Sequence, residues 1–314
     1  MKNAKCCALL MGAMFMLGGC ASSTVDEAYL PTNTAVAVQS TIKPAIIPLS
    51  NDQTDDDNPI NFELTPYTAW QDAIFIGAFP EYEAAVGEAK HFAGSSVQFK
   101  KRPIWSNVEP AGEALIDAPL IYQMPELERG CEVTSLAMLL QHAGINVDKM
   151  TLAAAIHKDS TPFTIKDHMI HFGNPNDGFV GDMATFEEPG YGVYHQPVKE
   201  LAETYLQGQI IDATGAEFDD LYHFLDQGVP VWGIVNMDYV ELDDDAFETW
   251  DTPEGTMDIT YREHSVLVTG YDDHYIYIND PLGEEERTEK ADFIAAWNQM
   301  GRQAITYVKF SQQS

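Results

Sequence analysis

The chain has 314 residues, 45% of them hydrophobic, which is enough for one large domain or two ordinary ones. It carries 17 Lys and Arg against 49 Asp and Glu, a net charge of −32. This balance excludes nucleic acid as a partner and a polybasic contact with anionic lipid, because both need clustered positive side chains.

The first twenty residues are typical of an export signal. Two lysines precede an apolar run at 6–17 that is too short to span a bilayer. Gly18 and Gly19 then precede Cys20, a pattern that resembles the bacterial lipoprotein signal. The resemblance implies cleavage after residue 19 and a lipid on the Cys20 sulfur, which anchors the protein to the extracytoplasmic side of a bacterial membrane. The alternative is a plain secretory signal with an incidental cysteine.

The cysteine positions single out one thiol. The chain contains four cysteines, Cys6, Cys7, Cys20 and Cys131. Processing would remove the first two and lipidate the third, which leaves Cys131 as the one free thiol and permits no intramolecular disulfide. An odd cysteine in an exported protein is a candidate reactive group.

Composition divides the remaining chain into three parts. Residues 20–60 are rich in Thr, Ser, Pro and Asp and are interpreted as a solvated tether. Residues 61–115 form either a small subdomain or an N-terminal extension packed on the next domain, with helix-forming composition at 81–92. Residues 116–314 have the size of one α+β domain. Hydrophobic spacing there predicts helices at 131–142, 198–206, 217–226 and 292–300, and strands at 120–122, 229–235, 265–269, 275–278 and 304–310.

Cys131 is the candidate nucleophile. It follows Gly130 and opens a predicted helix, where free N–H groups and partial positive charge favour the thiolate over the thiol. The sequence therefore predicts a lowered pKa for this cysteine. The alternative is a small buried hydrophobic residue, the usual role of a free cysteine.

His264 is the candidate base and Asp280 the residue that orients it. His264 begins the predicted strand at 265–269, and Asp280 ends the strand at 275–278. If the two form a hairpin in which Thr269 faces Tyr275, His264 lies opposite Asp280 on the same face, and the carboxylate can hold the imidazole. The alternative for Asp280 is a turn residue before Pro281.

Gln123 is the candidate donor to an oxyanion. It lies eight residues before Cys131, so its amide could join the Cys131 backbone N–H at a tetrahedral intermediate. The alternative is an exposed loop glutamine. His168 and His171 have metal-ligand spacing, but no third ligand is evident, and a polar turn is the preferred interpretation.

Four motifs occur in order: Gln123, the Gly130–Cys131–Glu132 turn, the segment 263–271 and the segment 279–281. Together they resemble the papain-like peptidase family that removes double-glycine leaders from bacteriocins, and more closely its stand-alone, exported branch. The resemblance covers about residues 120–307. It implies an α+β fold in which the helix that carries the nucleophile packs on an antiparallel sheet. It also implies that Cys131 is the nucleophile, His264 the general base, Asp280 its orienter and Gln123 the oxyanion donor.

The sequence differs from compact leader peptidases in its longer separation between Cys131 and His264, with extra length near 158–190 and 238–262. The predicted activity is hydrolysis of peptide or amide bonds in a peptide or protein substrate, with no cofactor. Two alternatives stay open, namely a non-catalytic binding lipoprotein on the same fold and a thiol acyltransferase.

Overall fold

The computed structural model describes residues 60–309, which fall in one compact unit. The expected signal peptide, Cys20 and the tether up to residue 59 lie outside the described residues. The helices are α1 (Tyr82–Ala89), α2 (Cys131–His142), α3 (Lys149–Ala155), α4 (His195–Tyr205), α5 (Phe218–Asp226) and α6 (Lys290–Gln299), with a 3₁₀ helix at Asp244–Ala246. Within this part of the chain, none of the helices has the length and hydropathy of a membrane span.

The strands fall into four sheets. In chain order they are β1 (Tyr67–Gln71), β2 (Ile74–Phe79), β3 (Ser95–Phe99), β4 (Arg102–Ser106), β5 (Ala114–Leu115), β6 (Lys158–Asp159), β7 (Thr164–Lys166), β8 (Met169–His171), β9 (Phe179–Val180), β10 (Ile210–Asp212), β11 (Val231–Asn236), β12 (Glu248–Thr252), β13 (Gly255–Ile259), β14 (Glu263–Tyr271), β15 (Tyr275–Asp280), β16 (Glu284–Glu289) and β17 (Ala304–Tyr307). The central sheet is antiparallel, in the order β10-β17-β11-β14-β15-β16, and β5 pairs with β14.

Helices cover both faces of the central sheet. The Trp232 indole in β11 donates to the Glu132 carbonyl of α2, whereas a Cβ on the next residue, Gly233, would point at Trp297 of α6. Because successive strand residues face opposite sides, α2 and α6 lie on opposite faces. Every residue of β11 and β14 is consequently buried. The expected α+β class, with the Cys131 helix packed on an antiparallel sheet, is confirmed.

Local patterns predicted four of the five α-helices of this domain, missing α3, but only the strands β11, β14, β15 and β17. Helix α2 has the predicted bounds, and Gly144 follows it with a φ of +90°, a conformation that suits a helix end. The helix predicted at 198–206 begins three residues earlier, at His195. The strand predicted at 120–122 is wrong: residues 120–122 are irregular, and Gln123 N donates instead to the Pro281 carbonyl.

The two segments of extra length pair with each other. Strands β7 and β8 come from the first segment and β12 and β13 from the second, and together they form a sheet in the order β13-β12-β8-β7. This sheet has a small core of its own, made of Phe172, Val180, Tyr191, Trp250 and Ile259. Tyr191 also lines the cavity described below, so this added sheet contributes to the wall of the site.

The segment at 61–115 contains a second antiparallel sheet, in the order β2-β1-β3-β4, with α1 packed on it. Its buried side chains are continuous with the main core. Asp220 of α5 accepts hydrogen bonds from Lys90 Nζ at 2.7 Å and Trp105 Nε1 at 3.1 Å, and its carbonyl accepts one from Tyr82 Oη at 3.1 Å. The segment therefore has its own sheet yet shares one core with the rest.

Candidate active site

Cys131 is the first residue of α2, and its local backbone leaves no room for a larger neighbour. Gly130 precedes the helix, and a Cβ at that position would overlap the Leu127 side chain. No backbone hydrogen bond from the Cys131 N–H forms within residues 60–309. The thiol therefore lies at a helix start, beside an N–H group that is available to an oxyanion.

Two hydrogen bonds fix the start of α2 against the central sheet. Trp232 Nε1 of β11 donates to the Glu132 carbonyl at 3.0 Å. Ser135 Oγ, one helical turn later, donates to the Ser265 carbonyl of β14 at 3.0 Å. Because Ser265 follows His264 directly, the second bond sets the position of Cys131 relative to the candidate base. Both hydrogen bonds are buried and join residues at least 100 positions apart in the chain.

His264 and Asp280 are in contact, with Nε2 and Oδ1 2.8 Å apart. The predicted register of the hairpin is nevertheless wrong. Leu267 pairs with Asn279 and Val268 with Ile278, and a bulge at Thr269 shifts the pairing by one residue beyond it. Continued by one step, this register places Asp280 opposite Val266. His264 is then a diagonal neighbour on the same face, which is still within reach of a carboxylate.

Asp280 is held by three donors. Besides His264, Tyr239 Oη donates to Oδ2 at 2.6 Å and the Leu282 N–H donates to Oδ1 at 2.7 Å. Burial would raise the pKa of this carboxyl, but the hydrogen bond and charge of His264 and the bond from Tyr239 outweigh burial and hold the pKa below its usual range. Asp280 is therefore ionised at neutral pH and can stabilise a positive imidazole.

The environment of the thiol reverses one expectation. Burial, followed by the nearby carboxyls of Glu132 and Glu263, raises the pKa of Cys131 well above its ordinary value, although its position at a helix start predicts a lowered one. Burial and the two acidic neighbours outweigh the hydrogen bond from the Ser265 backbone, which favours the thiolate. At neutral pH the resting site consequently holds a thiol rather than a thiolate.

The two carboxyls beside the thiol form a buried pair. Burial raises the pKa of Glu132 to about 7, and burial together with Glu132 raises that of Glu263 well above its usual range. The Val193 N–H donates to Glu132 Oε1 at 2.7 Å, and a Cβ on Gly192 would overlap this oxygen. Sequence analysis quoted both glutamates only as parts of motifs. Their adjacency to Cys131 and His264 in the chain was the available signal.

Gln123 is buried, so the alternative of an exposed loop glutamine is wrong. Its Nε2 donates to the Glu128 carbonyl at 3.1 Å, while Oε1 is buried without a partner among the described residues. An amide nitrogen carries two hydrogens, so one remains for another acceptor. Gln123 lines the same cavity as Cys131 and His264.

This cavity has a volume of about 240 Å³ and a mainly apolar wall. The residues of that wall carry no motif that marks them in the sequence; they are Phe186, Tyr191, Met237, Tyr261 and Leu282. Arg129 fixes one side, because its guanidinium lies 4.8 Å from the centre of the Phe186 ring and donates to the carbonyls of Asp182 and Thr185. Phe186 and Tyr191 belong to the glycine-rich stretch 178–194, and the other residues of the wall come from distant parts of the chain.

The histidine pair at 168 and 171 belongs to a separate hairpin. His168 lies in the two-residue turn between β7 and β8 with a φ of +66°, and His171 Nδ1 pairs with Asp251 Oδ2 at 2.7 Å. The preferred interpretation as a polar turn is confirmed for His168. Among residues 60–309, the group of side chains with metal-ligand spacing lies instead at Cys131, Glu132 and Glu263.

Comparisons with known proteins identify the family of the chain and support its fold. The model of the Peptidase_C39 like family matches residues 115–305. The uncharacterized protein YvpB of Bacillus subtilis strain 168 is 48% identical over 197 residues, which cover 62% of this chain and 76% of that protein. A crystal structure from Bacillus anthracis, described as a candidate C39-like peptidase, is 48% identical with a TM-score of 0.59 and covers 64% of this chain and 99% of that one. The chain belongs to the Peptidase_C39 like family.

Proposed function

We propose that this protein is a thiol hydrolase that cleaves peptide or amide bonds through a thioester intermediate. The observation that supports the proposal is that Cys131, His264 and Gln123 line one cavity, and that Asp280 accepts a hydrogen bond from His264. A nucleophile, a base with its orienting partner, and a donor for the oxyanion are the parts that acyl transfer needs. Family membership favours the same class.

The proposed mechanism uses the free nitrogen of His264 for the proton steps. His264 Nε2 is bound to Asp280, which leaves Nδ1 as the nitrogen that exchanges a proton with the thiol. As Cys131 Sγ attacks the carbonyl carbon, Nδ1 takes the thiol proton and Asp280 stabilises the imidazolium. The oxyanion accepts hydrogen bonds from the Cys131 N–H and Gln123 Nε2.

The intermediate then collapses and the C–N bond breaks. The imidazolium of His264 gives its proton to the leaving amine, and the acyl group stays on Cys131 as a thioester. Water attacks this thioester, His264 accepts a proton from the water, and the carboxylic acid leaves while the thiol is restored. Because the resting thiol is neutral, proton transfer to His264 has to accompany attack on the bound substrate.

We test the proposal with a peptide library digested by the full chain and read by mass spectrometry. The library includes peptides with a double-glycine leader. Cys131→Ala is the inactive control, and hydroxylamine traps an acyl-enzyme as a hydroxamate. New termini produced by the wild type and not by Cys131→Ala support hydrolysis. The absence of new termini in both proteins would refute it.

One observation favours a second candidate, a non-catalytic binding protein. The pKa of Cys131 is raised, as expected for an unreactive buried thiol. This candidate predicts that the wild type and Cys131→Ala retain the same peptides and cleave none. Ligation of an acyl group to an added amine, in contrast, would indicate an acyltransferase with the same thioester.

We further propose that the protein acts outside the cytoplasm, anchored by a lipid on Cys20. The support is the N-terminal sequence, in which two glycines precede Cys20 after a short apolar run. Mass spectrometry of the N-terminal peptide from cells should show residues 1–19 removed and a diacylglyceryl group on the cysteine. A Cys20→Ala chain that fractionates with membranes as the wild type does would refute the anchor.

A further inference from the structure

We propose that Cys131, Glu132 and Glu263 form a binding site for a divalent ion of the zinc class. The sulfur and one carboxylate oxygen from each glutamate all lie within 4.8 Å of one another. The residues are 6%, 0% and 8% exposed, so all three ligands are removed from bulk water. The site overlaps the nucleophile, and a bound ion would control it.

The spacing of two ligands already fits a metal. The Cys131 thiol donates a hydrogen bond to Glu132 Oε2, with Sγ and Oε2 3.4 Å apart. In a tetrahedral zinc site with Zn–S of about 2.3 Å and Zn–O of about 2.0 Å, a sulfur and an oxygen ligand lie about 3.5 Å apart. A carboxylate oxygen of Glu263 lies within 4.8 Å of a ligand atom on each of the other two residues.

Glu263 has a buried carboxylate oxygen that could act as a metal ligand. Its Oε1 is buried and forms no hydrogen bond within residues 60–309. A buried carboxylate oxygen without a donor costs free energy, and a metal ion is one group that satisfies it. Gly192 makes the approach possible, since a Cβ there would lie 3.0 Å from Glu263 Oε2 and overlap the Glu132 carboxylate.

The carboxyls of the cluster also lack a basic partner. Glu132 and Glu263 lie beside a sulfur, and neither carboxylate forms an ion pair with a Lys, Arg or His side chain in the described part of the chain. A divalent ion would displace the protons that the thiol and the carboxyls hold, and would take their place as the positive partner. A thiolate ligand selects zinc over magnesium and calcium, which prefer oxygen ligands alone.

Binding has a direct chemical consequence for the thiol. The ion bonds to the sulfur as the S–H proton leaves to solvent, and any proton on the two carboxyls leaves as well; no electron is transferred. Cys131 and Glu263 both line the cavity, so an ion held by them would be reached from the cleft. If the protein is the thiol hydrolase proposed above, the bound ion occupies its nucleophile and inhibits it.

The test measures binding directly, on the full chain freed of metal by a chelator. Zinc is titrated in competition with a chromophoric chelator, for the wild type and for Glu263→Gln. The variant keeps the side-chain shape but loses a ligand, so we expect it to lack one high-affinity equivalent, with affinity lowered by more than about 100-fold, the upper end for loss of an outer-shell partner. Glu128→Gln, a carboxylate on the same cavity outside the cluster, should bind like the wild type.

Cobalt tests the sulfur ligand. Co²⁺ in the wild type should give a thiolate-to-metal charge-transfer band in the near ultraviolet that Cys131→Ser lacks, and circular dichroism checks that both variants are folded. The N-terminal cysteines are the same in every variant, so they do not affect the difference. Equal zinc binding in the wild type and Glu263→Gln, or no band lost in Cys131→Ser, would overturn the site and leave the two carboxyls as a pair that shares a proton.

The outcome for the metal is separable from that for the hydrolase. Zinc binding by a chain that cleaves no peptide would support the site and refute the hydrolase. If the chain cleaves peptides, zinc does not inhibit the cleavage and the titration shows no binding, the hydrolase is supported and the metal site is refuted.

Discussion

The substitution Asp280→Asn tests the link between the carboxylate and the imidazole. Asn can keep the bonds that His264 Nε2 and the Leu282 N–H donate to Oδ1, and its amide group can take the place of Oδ2 beside the Tyr239 hydroxyl. The shape of the site is therefore retained and the negative charge is lost. Both side chains are nearly buried, so solvent screens the missing charge only weakly.

The expected loss follows from the distance. Oδ1 and Nε2 are 2.8 Å apart. For charge centres about 4 Å apart at an effective dielectric constant of about 20, the attraction is about 4 kcal/mol, equivalent to about a 10³-fold change in the population of the thiolate–imidazolium pair. The Asn dipole keeps part of this, so we expect a loss of about 10²- to 10³-fold.

The assay is alkylation of Cys131 by iodoacetamide at pH 7, quantified on the peptide that contains this residue by mass spectrometry. The raised pKa of Cys131 keeps the background from unassisted thiolate low, so the loss can be measured. Asp272→Asn is the matched control, because Asp272 accepts the Tyr277 hydroxyl at 2.7 Å in the loop of the same hairpin and does not line the cavity. An unchanged rate in Asp280→Asn would refute a role for this charge.

Three stability predictions follow from other contacts. Asp220→Ala leaves the buried Trp105 indole N–H without its acceptor, so the free energy of unfolding should fall by about 1–3 kcal/mol in a urea titration; an unchanged midpoint would contradict this. Gly130→Ala introduces a Cβ that overlaps Leu127, and overpacking of about 1–3 kcal/mol should lower the melting temperature. The folded-state pKa of Asp280 is lowered, so its stabilisation is present above the unfolded pKa of about 4 and is lost as pH falls through the folded value. The free energy of unfolding should therefore be measured against pH for the wild type and Asp280→Asn. The difference between the two should shrink as pH falls below about 4. A difference that stays constant with pH would argue against the ionised pair.

Local pattern was sufficient for the elements that depend on nearby residues. The helix that begins at Cys131 has the predicted bounds, because Gly130, the apolar spacing and Gly144 are all local signals. The strand predicted at 120–122 does not form, because backbone pairing there depends on a distant residue. Its apolar run satisfies a strand pattern, but in the structure the following residue bonds to Pro281, a partner that no local pattern specifies.

The pairing of His264 with Asp280 was predicted from a register that the structure does not have. The bulge at Thr269 and a shift of two residues keep both side chains on one face, because side chains alternate with a period of two. A shift of one residue would have separated them. The contact was therefore predicted correctly and the register was not, since a bulge depends on the packing of the whole sheet.

The sequence by itself determined the family signature, the four candidate residues of the site and the helix start that carries the thiol, because these are written in residue types and short spacings. Only the tertiary structure decided the state of that thiol. Glu263 lies 132 positions from Cys131 in the chain, and the strand that carries it brings a second buried carboxyl to the sulfur. Burial and charge at a site are sums over such distant neighbours, so the fold, and not the helix end, sets the pKa of Cys131.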